Sequence, residues 1–297
     1  MRTVIGFTLW AVLSVSAQAA GPGTLRVYAV NYPLQYFAQR IAGEHAEVIF
    51  PVPAGADPAF WQPVAQNIVD FQRADLIVLN GADYAKWVGL AALPRRKLID
   101  SSAGFREHYI QIANSTTHRH GPDGEHGHVG VAFTTWLDMQ QAIAQSQAIA
   151  RALTRKRPQH AGDFARNLAA LAADLQRLDD QFRATAATIG AQAMLASHPV
   201  YQYFSRRYGL NVRSVLWEPD EVPNAAQRSE LASLLAQHPA HWMIWEAGPA
   251  AATVAYLKTL NVKAIVINPA GNRPAEGDFL GVMQQNLANL ARAAVAD

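Results

Sequence analysis

The chain has 297 residues, with 25 Lys and Arg against 23 Asp and Glu, a net charge of +2 and a 50% hydrophobic composition. That balance, with no basic-aromatic patch, excludes nucleic acid as a partner class. The absence of cysteine excludes disulfides, thiolate metal ligands and lipid attachment through an N-terminal Cys.

Arg2, an apolar run over 4–15 and the small-x-small site Ala17-Gln18-Ala19 read as a cleavable export signal over residues 1–19. The mature chain is therefore expected in the periplasm, freely diffusing, unlipidated and monomeric. No later segment is apolar for long enough to span a bilayer. Residues 24–30 (TLRVYAV) alternate and predict a first strand. Residues 34–42 have helical spacing and stop at Gly43. A second strand is expected over 46–52, then a turn-rich loop over 53–63 and a helix over 66–73. Residues 76–79 (LIVL) form a short apolar run of the kind found in buried parallel strands, ended by Asn80-Gly81. A short helix from 85 and a strand over 97–100 follow. This alternation predicts βαβ units and a parallel sheet.

His118, His120, His126 and His128 then fall close together, four of the ten histidines in the chain. Gly121, Pro122, Gly124 and Gly127 are expected to break any helix or strand there, which predicts a mobile surface loop over 114–130. It runs into an apolar-aromatic segment, 131–137. A flexible imidazole cluster tied to an ordered segment suits capture of zinc, copper or nickel. The alternative is a polar connector.

A helix is expected over 137–153, with the basic run 151–157 as its exposed end. Pro158 marks a restart. Residues 161–189 then place Phe164, Leu168, Leu171, Leu175, Leu178 and Phe182 at helical steps, a helix of roughly 43 Å at about 1.5 Å per residue. It reads as one rigid helix between two α/β halves; the alternative is a helix packed within one domain. Beyond it, strands are expected over 193–196, 212–217, 242–245 and 262–267, and helices over 200–208, 225–237, 250–260 and 279–294. The fold class is α/β: two lobes with parallel-rich sheets flanked by helices, joined by one long helix, with a ligand cleft between them. The lobes span 20–157 and 190–297, linked by 158–189. Ligands in open α/β sheets sit beyond the carboxyl ends of strands. That rule selects Asn31, Tyr32, the 53–63 loop, Asn80 and 131–138 in the first half. In the second it selects His198, Trp217, Glu218, Glu246 and Asn268.

Several short motifs recur together. They are Tyr32-Pro33-Leu34, Gly55-Ala56-Asp57-Pro58, the run Ala74-Asp75-Leu76-Ile77-Val78-Leu79-Asn80-Gly81, and Trp136-Leu137-Asp138 after the histidine cluster. Ser197-His198, Tyr203-Phe204, Tyr208-Gly209-Leu210 and Trp245-Glu246 follow. In this order they resemble the zinc/manganese-type solute-binding proteins of bacterial ABC importers, over nearly the whole mature chain. The resemblance implies two α/β lobes on a long helix with limited hinge motion, and delivery of a metal ion to a membrane permease. It also implies four ligand positions. The first holds Ala59 here in place of histidine, the second Thr134, and the fourth, often acidic, Asn268. Only His198 keeps the family's donor.

Three readings follow. In the first, a divalent ion, zinc foremost, is cargo with no organic cofactor, and the ligands are relocated: His126 and His128 join His198 and Glu246, with His118 and His120 gathering metal. In the second, a cleft lined by aromatics such as Tyr32, Trp61, Trp136, Trp217 and Trp245 takes a small organic molecule or metal chelate. The third is an accessory homologue without cargo. An enzyme is not expected, since there is no His-Glu-x-x-His, no G-x-S-x-G and no cysteine nucleophile. Glu246 has an alternative role as a structural acid bonding loop amides. The remaining residues read as background: His45, His108, His160, His238 and His241 as surface or helix-end groups, and Asp179-Asp180 as a solvated face. Glu218, Asp220 and Glu221 form an acidic loop near the cleft.

Overall fold

The computed structural model describes residues 24–112 and 130–294, and the backbone of 117–119 and 125–127. The export-signal residues, His120 and His128 lie outside it, as do the side chains of His118 and His126.

The first sheet grows from β1 (Leu25–Ala29), β2 (Ala46–Ile49), β3 (Leu76–Leu79) and β4 (Leu98–Asp100), paired in parallel in the order β2-β1-β3-β4. Helix α1 (Tyr32–Ala42) starts where the Asn31 side chain accepts from Leu34 N at 3.1 Å, and stops at Gly43, whose φ of 57° suits glycine. Helix α2 (Ala65–Arg73) leads into β3. The turn after β3 needs Gly81: its φ is 75°, and an added Cβ would lie 1.9 Å from Ser102 Oγ.

The second sheet repeats the plan. Strands β9 (Ala193–Ala196), β10 (Asn211–Ser214), β11 (Trp242–Trp245) and β12 (Lys263–Val266) are all parallel in the order β10-β9-β11-β12. Helices α5 (Gln202–Tyr208), α6 (Ala225–Gln237), α7 (Ala251–Thr259) and α8 (Phe279–Ala291) alternate with them. Each sheet therefore has its first and third strands side by side at its centre.

Between the sheets, β5 (Gln111–Ile112) pairs antiparallel with β8 (Gly130–Val131). Enclosed between them, β6 (Thr117–Arg119) and β7 (Glu125–Gly127) also pair antiparallel, with His118 opposite His126 in register. This corrects the expectation that glycine and proline exclude strands here. The two strands flank residues 120–124, which lie outside the described residues. Helix α3 (Met139–Lys156) starts two residues later than its spacing suggests, because Asp138 caps it, accepting from Gln140 N at 3.0 Å and Gln141 N at 3.3 Å.

Helix α4 spans Ala161–Ile189, 29 residues. It joins the two sheets and packs along its length on α1, α3 and α8, burying Phe164, Leu171, Leu175, Leu178 and Phe182. One apolar core runs through both halves, with Phe37 of α1 edge-on to Phe279 of α8 at 5.1 Å. A smaller core, including Trp217, Leu231 and Trp245, fills one side of the second sheet. Asp179 is not on a solvated face. It is buried in α4, where Arg207 Nε donates to it at 2.8 Å and Gln140 Nε2 at 3.1 Å. His238 is also buried, with its Nε2 2.9 Å from the Met194 carbonyl. Among the described residues no helix is long and apolar enough to cross a membrane.

Candidate metal-binding cleft

In this strand order the connections leaving the two central strands diverge, and a crevice opens at their carboxyl ends. In the second sheet those strands are β9 and β11. His198 follows the end of β9 by one residue after Ser197, and Glu246 immediately follows β11. The crevice is the floor of an open cavity of about 430 Å³ between the two halves. Its second-half wall includes His198, Glu218, Glu246 and Asn268; its first-half wall includes Asp57, Phe60, Tyr84, Phe133, Thr134 and Trp136.

His198 is 1% exposed and stands between two carboxylates. Its Nε2 lies 3.2 Å from Glu218 Oε1 and its Nδ1 3.4 Å from Glu246 Oε1. A neutral imidazole has one N–H, so it can donate to one carboxylate while its other nitrogen offers a lone pair beside the second. That arrangement resembles a carboxylate–histidine–metal relay, in which an acid fixes the tautomer and an ion takes the opposite nitrogen. Glu246 thus faces an imidazole at the cavity wall.

The strands explain why these two acids point into the cavity. Successive side chains of extended chain face opposite ways. Trp217 and Trp245 turn into the smaller core, 6.3 Å apart, so their neighbours Glu218 and Glu246 turn to the cleft. The Trp217 N–H donates to the Ser197 carbonyl at 2.9 Å and holds this segment alongside His198.

The first wall offers weaker donors. Ala59 is buried under the Gly55–Pro58 turn, its N–H donating to Asp57 Oδ1 at 2.8 Å, and it does not line the cavity. Thr134 does line it, but its hydroxyl donates to the Val200 carbonyl across the cleft. Asn268 lines it too, with its amide oxygen accepting from Ala270 N at 2.7 Å. Asp57 adds a carboxylate that sequence reasoning passed over inside a turn motif. Burial pushes the Tyr84 phenol well above its ordinary range and Asp57 adds to the effect, so Tyr84 stays neutral. Burial and Glu246 do the same to Tyr201, which donates to the Ile267 carbonyl at 2.8 Å.

The expectation of an aromatic cleft is corrected in its membership. Tyr32, Trp61, Trp217 and Trp245 do not line the cavity. Trp61 packs edge-on against Trp87 at 6.0 Å, and Tyr32 belongs to the main core. Trp136 does line it, with Phe60, Tyr84 and Phe133. Trp136 Nε1 also donates to the Pro269 carbonyl at 2.7 Å, a second bond between the halves. The histidine-rich segment leaves and rejoins the described fold through β5 and β8, and Phe133 and Thr134 of the cleft lie just beyond β8.

The family model described as "Zinc-uptake complex component A periplasmic" (ZnuA) matches residues 27–293. The zinc-binding lipoprotein AdcA of Streptococcus pneumoniae is 25% identical over 290 residues, 94% of this chain and 58% of its own length. The chain thus spans less than two thirds of that relative. The high-affinity zinc uptake system protein ZnuA of Bacillus subtilis is 26% identical over 283 residues, 89% of this chain and 85% of its own. The fold is shared with the metal-dependent lipoprotein YcdH of Bacillus subtilis, with a TM-score of 0.77 at 22% identity, covering 91% of this chain and 98% of that one. Zn(II)-bound AdcA from Streptococcus pneumoniae superposes with a TM-score of 0.75 at 23% identity, covering 92% of this chain and 58% of that one.

Proposed function

We propose a function from one premise: the chain belongs to the ZnuA family of periplasmic zinc-uptake components. In this reading it is a periplasmic, unlipidated, monomeric solute-binding protein that captures zinc and hands it to the membrane permease of an ABC importer. It binds and carries; it does not catalyse. The observation that supports this is the buried His198 imidazole held between Glu218 and Glu246 at a cavity wall. Imidazole and carboxylate together suit a borderline divalent ion. Asp57 on the facing wall adds a third carboxylate against one guanidinium, Arg273, so acidic groups outnumber basic ones in the lining.

The remaining ligands are assigned to the histidine-rich segment. His128 precedes Thr134 by six residues, a reach of at most about 20 Å of extended chain. His126 and His128 would then take the place of the donors absent at Ala59 and Thr134, with His118 and His120 gathering the ion from solution. A second reading has one specific support: a cavity of about 430 Å³ with four aromatic residues exceeds what a bare ion needs and falls in the range of small-ligand pockets. A metal held in a small organic chelate would fill it.

Zinc titration by calorimetry tests the first reading. His198→Ala should weaken binding in the cleft by about 100-fold, and the His126→Ala, His128→Ala double variant by a similar factor. The losses should be far from additive, because the groups share one ion. Unchanged zinc affinity in His198→Ala would overturn it.

A further inference from the structure

We propose that His45, His160 and Asp163 form a second transition-metal site, separate from the cleft and at the opposite edge of the first sheet. Sequence inspection scatters these residues as surface and helix-end groups, yet three elements bring them together. His45 ends the 3-10 turn Gly43–His45 and directly precedes β2, at the strand's amino end, whereas the cleft lies beyond the carboxyl ends. His160 closes the turn Pro158–His160 between α3 and α4. Asp163 sits in the first turn of α4, where a carboxylate suits the helix dipole.

The two imidazoles lie nearly parallel, with ring centroids 3.8 Å apart and an interplanar angle of 16°. Phe164 stands edge-on to them at 5.7 and 6.3 Å and fixes where the rings can go. His45 Nε2 is 2.8 Å from Asp163 Oδ2. One ligand atom from each of the three residues lies within 4.8 Å of the others. Ligand atoms around a tetrahedral zinc, at bonds of about 2.0–2.1 Å, are about 3.3 Å from one another, so closure needs side-chain shifts of about 1 Å. The rings open slightly from their stack, and the ion takes the place of the proton shared by His45 and Asp163.

The donor set selects the ion. Two imidazoles and one carboxylate, with water in a fourth position, suit zinc, copper(II) or nickel. Calcium and magnesium prefer oxygen donors throughout. The carboxylate is already oriented: Arg166 donates to Asp163 Oδ1, which leaves Oδ2 aimed at the imidazoles. All three residues are half-buried, open enough for an ion to enter and held enough to be directed. Occupation would pin the α1–β2 corner to the start of α4, residues 118 apart in sequence.

The test uses the full chain carrying His198→Ala and alanine at 118, 120, 126 and 128, so that the cleft and the histidine-rich segment are silent. Native mass spectrometry and zinc titration should still find one bound ion. Adding His160→Ala should weaken that binding at least tenfold, as should Asp163→Asn. Circular dichroism checks that each variant is folded, and cobalt(II) in place of zinc should show tetrahedral absorption bands that vanish with His160→Ala. A background chain that binds no ion, or one whose binding is indifferent to both substitutions, would overturn the proposal. A parallel measurement keeps it open to refutation if the background misfolds: His160→Ala in the otherwise unaltered protein should lower zinc stoichiometry by one, and an unchanged count would sink it.

Discussion

The two sheets share one strand order, and each has a crevice at the ends of its two central strands. In the first sheet that place is taken by Asn31 and Asn80, both buried, with Asn31 Nδ2 donating to Asn80 Oδ1 at 3.3 Å. The same oxygen accepts from Gln145 of α3 at 3.2 Å and Thr135 at 3.4 Å, and Asn80 Nδ2 donates to the Phe133 carbonyl at 2.9 Å. In the second sheet it is taken by His198 and Glu246, which line an open cavity. One crevice is closed by neutral amides that satisfy one another. The other holds ionisable donors, a buried imidazole and a part-exposed carboxylate, at the wall of an open cavity. Topology supplies the crevice twice, and the residue type at the strand end decides whether it stabilises the fold or binds a ligand.

The widest break in this comparison comes from removing the frame that both sheets share. Arg207→Ala leaves the buried Asp179 carboxylate without its charge partner and should destabilise the protein by about 3 kcal/mol, measured by urea denaturation. The pH dependence follows from the sign of the Asp179 shift. Burial pushes its carboxyl up, but Arg207, Gln140 and Tyr208 outweigh that and leave it below its usual range. Its contribution is therefore full above the unfolded carboxylate value of about 3.9 and is lost as pH falls through the lower folded value. Acid unfolding of wild type should show this loss below about pH 4, and Arg207→Ala should not. A wild-type stability that stays flat below about pH 4 would remove the assignment.

A smaller effect should separate the two crevices. Asn80→Ala strips partners from Asn31, Gln145 and Thr135 and should cost about 2 kcal/mol of stability, while zinc affinity stays within about threefold once the variant is folded. A matching loss of affinity would mean that the sealed crevice also serves the ligand. Glu246→Gln should do the reverse, weakening zinc about tenfold with little change in melting temperature. Equal losses in Glu218→Gln would say that the ion sits on the Glu218 side as strongly as on the other. Thr134→Val should have the least effect. It leaves the Val200 carbonyl without its donor and should lower stability by about 1 kcal/mol, with zinc affinity unchanged. A large affinity loss there would make the threonine hydroxyl a ligand after all.

The sheets, their parallel sense and the bounds of α4 could be read from the sequence, because apolar runs bounded by Asn-Gly, Gly and Pro leave few alternatives. Position at strand ends also selected His198 and Glu246. What the sequence hides is direction and distant pairing. Trp217 and Trp245 were expected in the cleft, yet alternation points them into the core and turns Glu218 and Glu246 outward. Asp179 on a long helix resembles any exposed acid until Arg207, 28 residues away, closes on it. His45 and His160 looked isolated for the same reason: their meeting depends on how α1, α3 and α4 pack.

Helix α4 also bears on how fast a bound solute can leave. It runs behind both sheets, fixed to α1 by Arg40 on Asp174 at 2.7 Å and by Asn167 Nδ2 on the Ile41 carbonyl at 3.0 Å. Wide gaping of the halves would have to peel or bend this packed rod. Contacts that cross the cleft end on loops instead: Thr134 to Val200, Tyr203 to Ala132, Trp136 to Pro269, and Asn272 to the Pro53 and Ala56 carbonyls. Their breaking belongs to loop motion, about nanoseconds to microseconds, and not to the slower rocking of whole domains. Residence time in the cleft is then set by the ligand's own bonds and by these cross-cleft contacts, with α4 left in place.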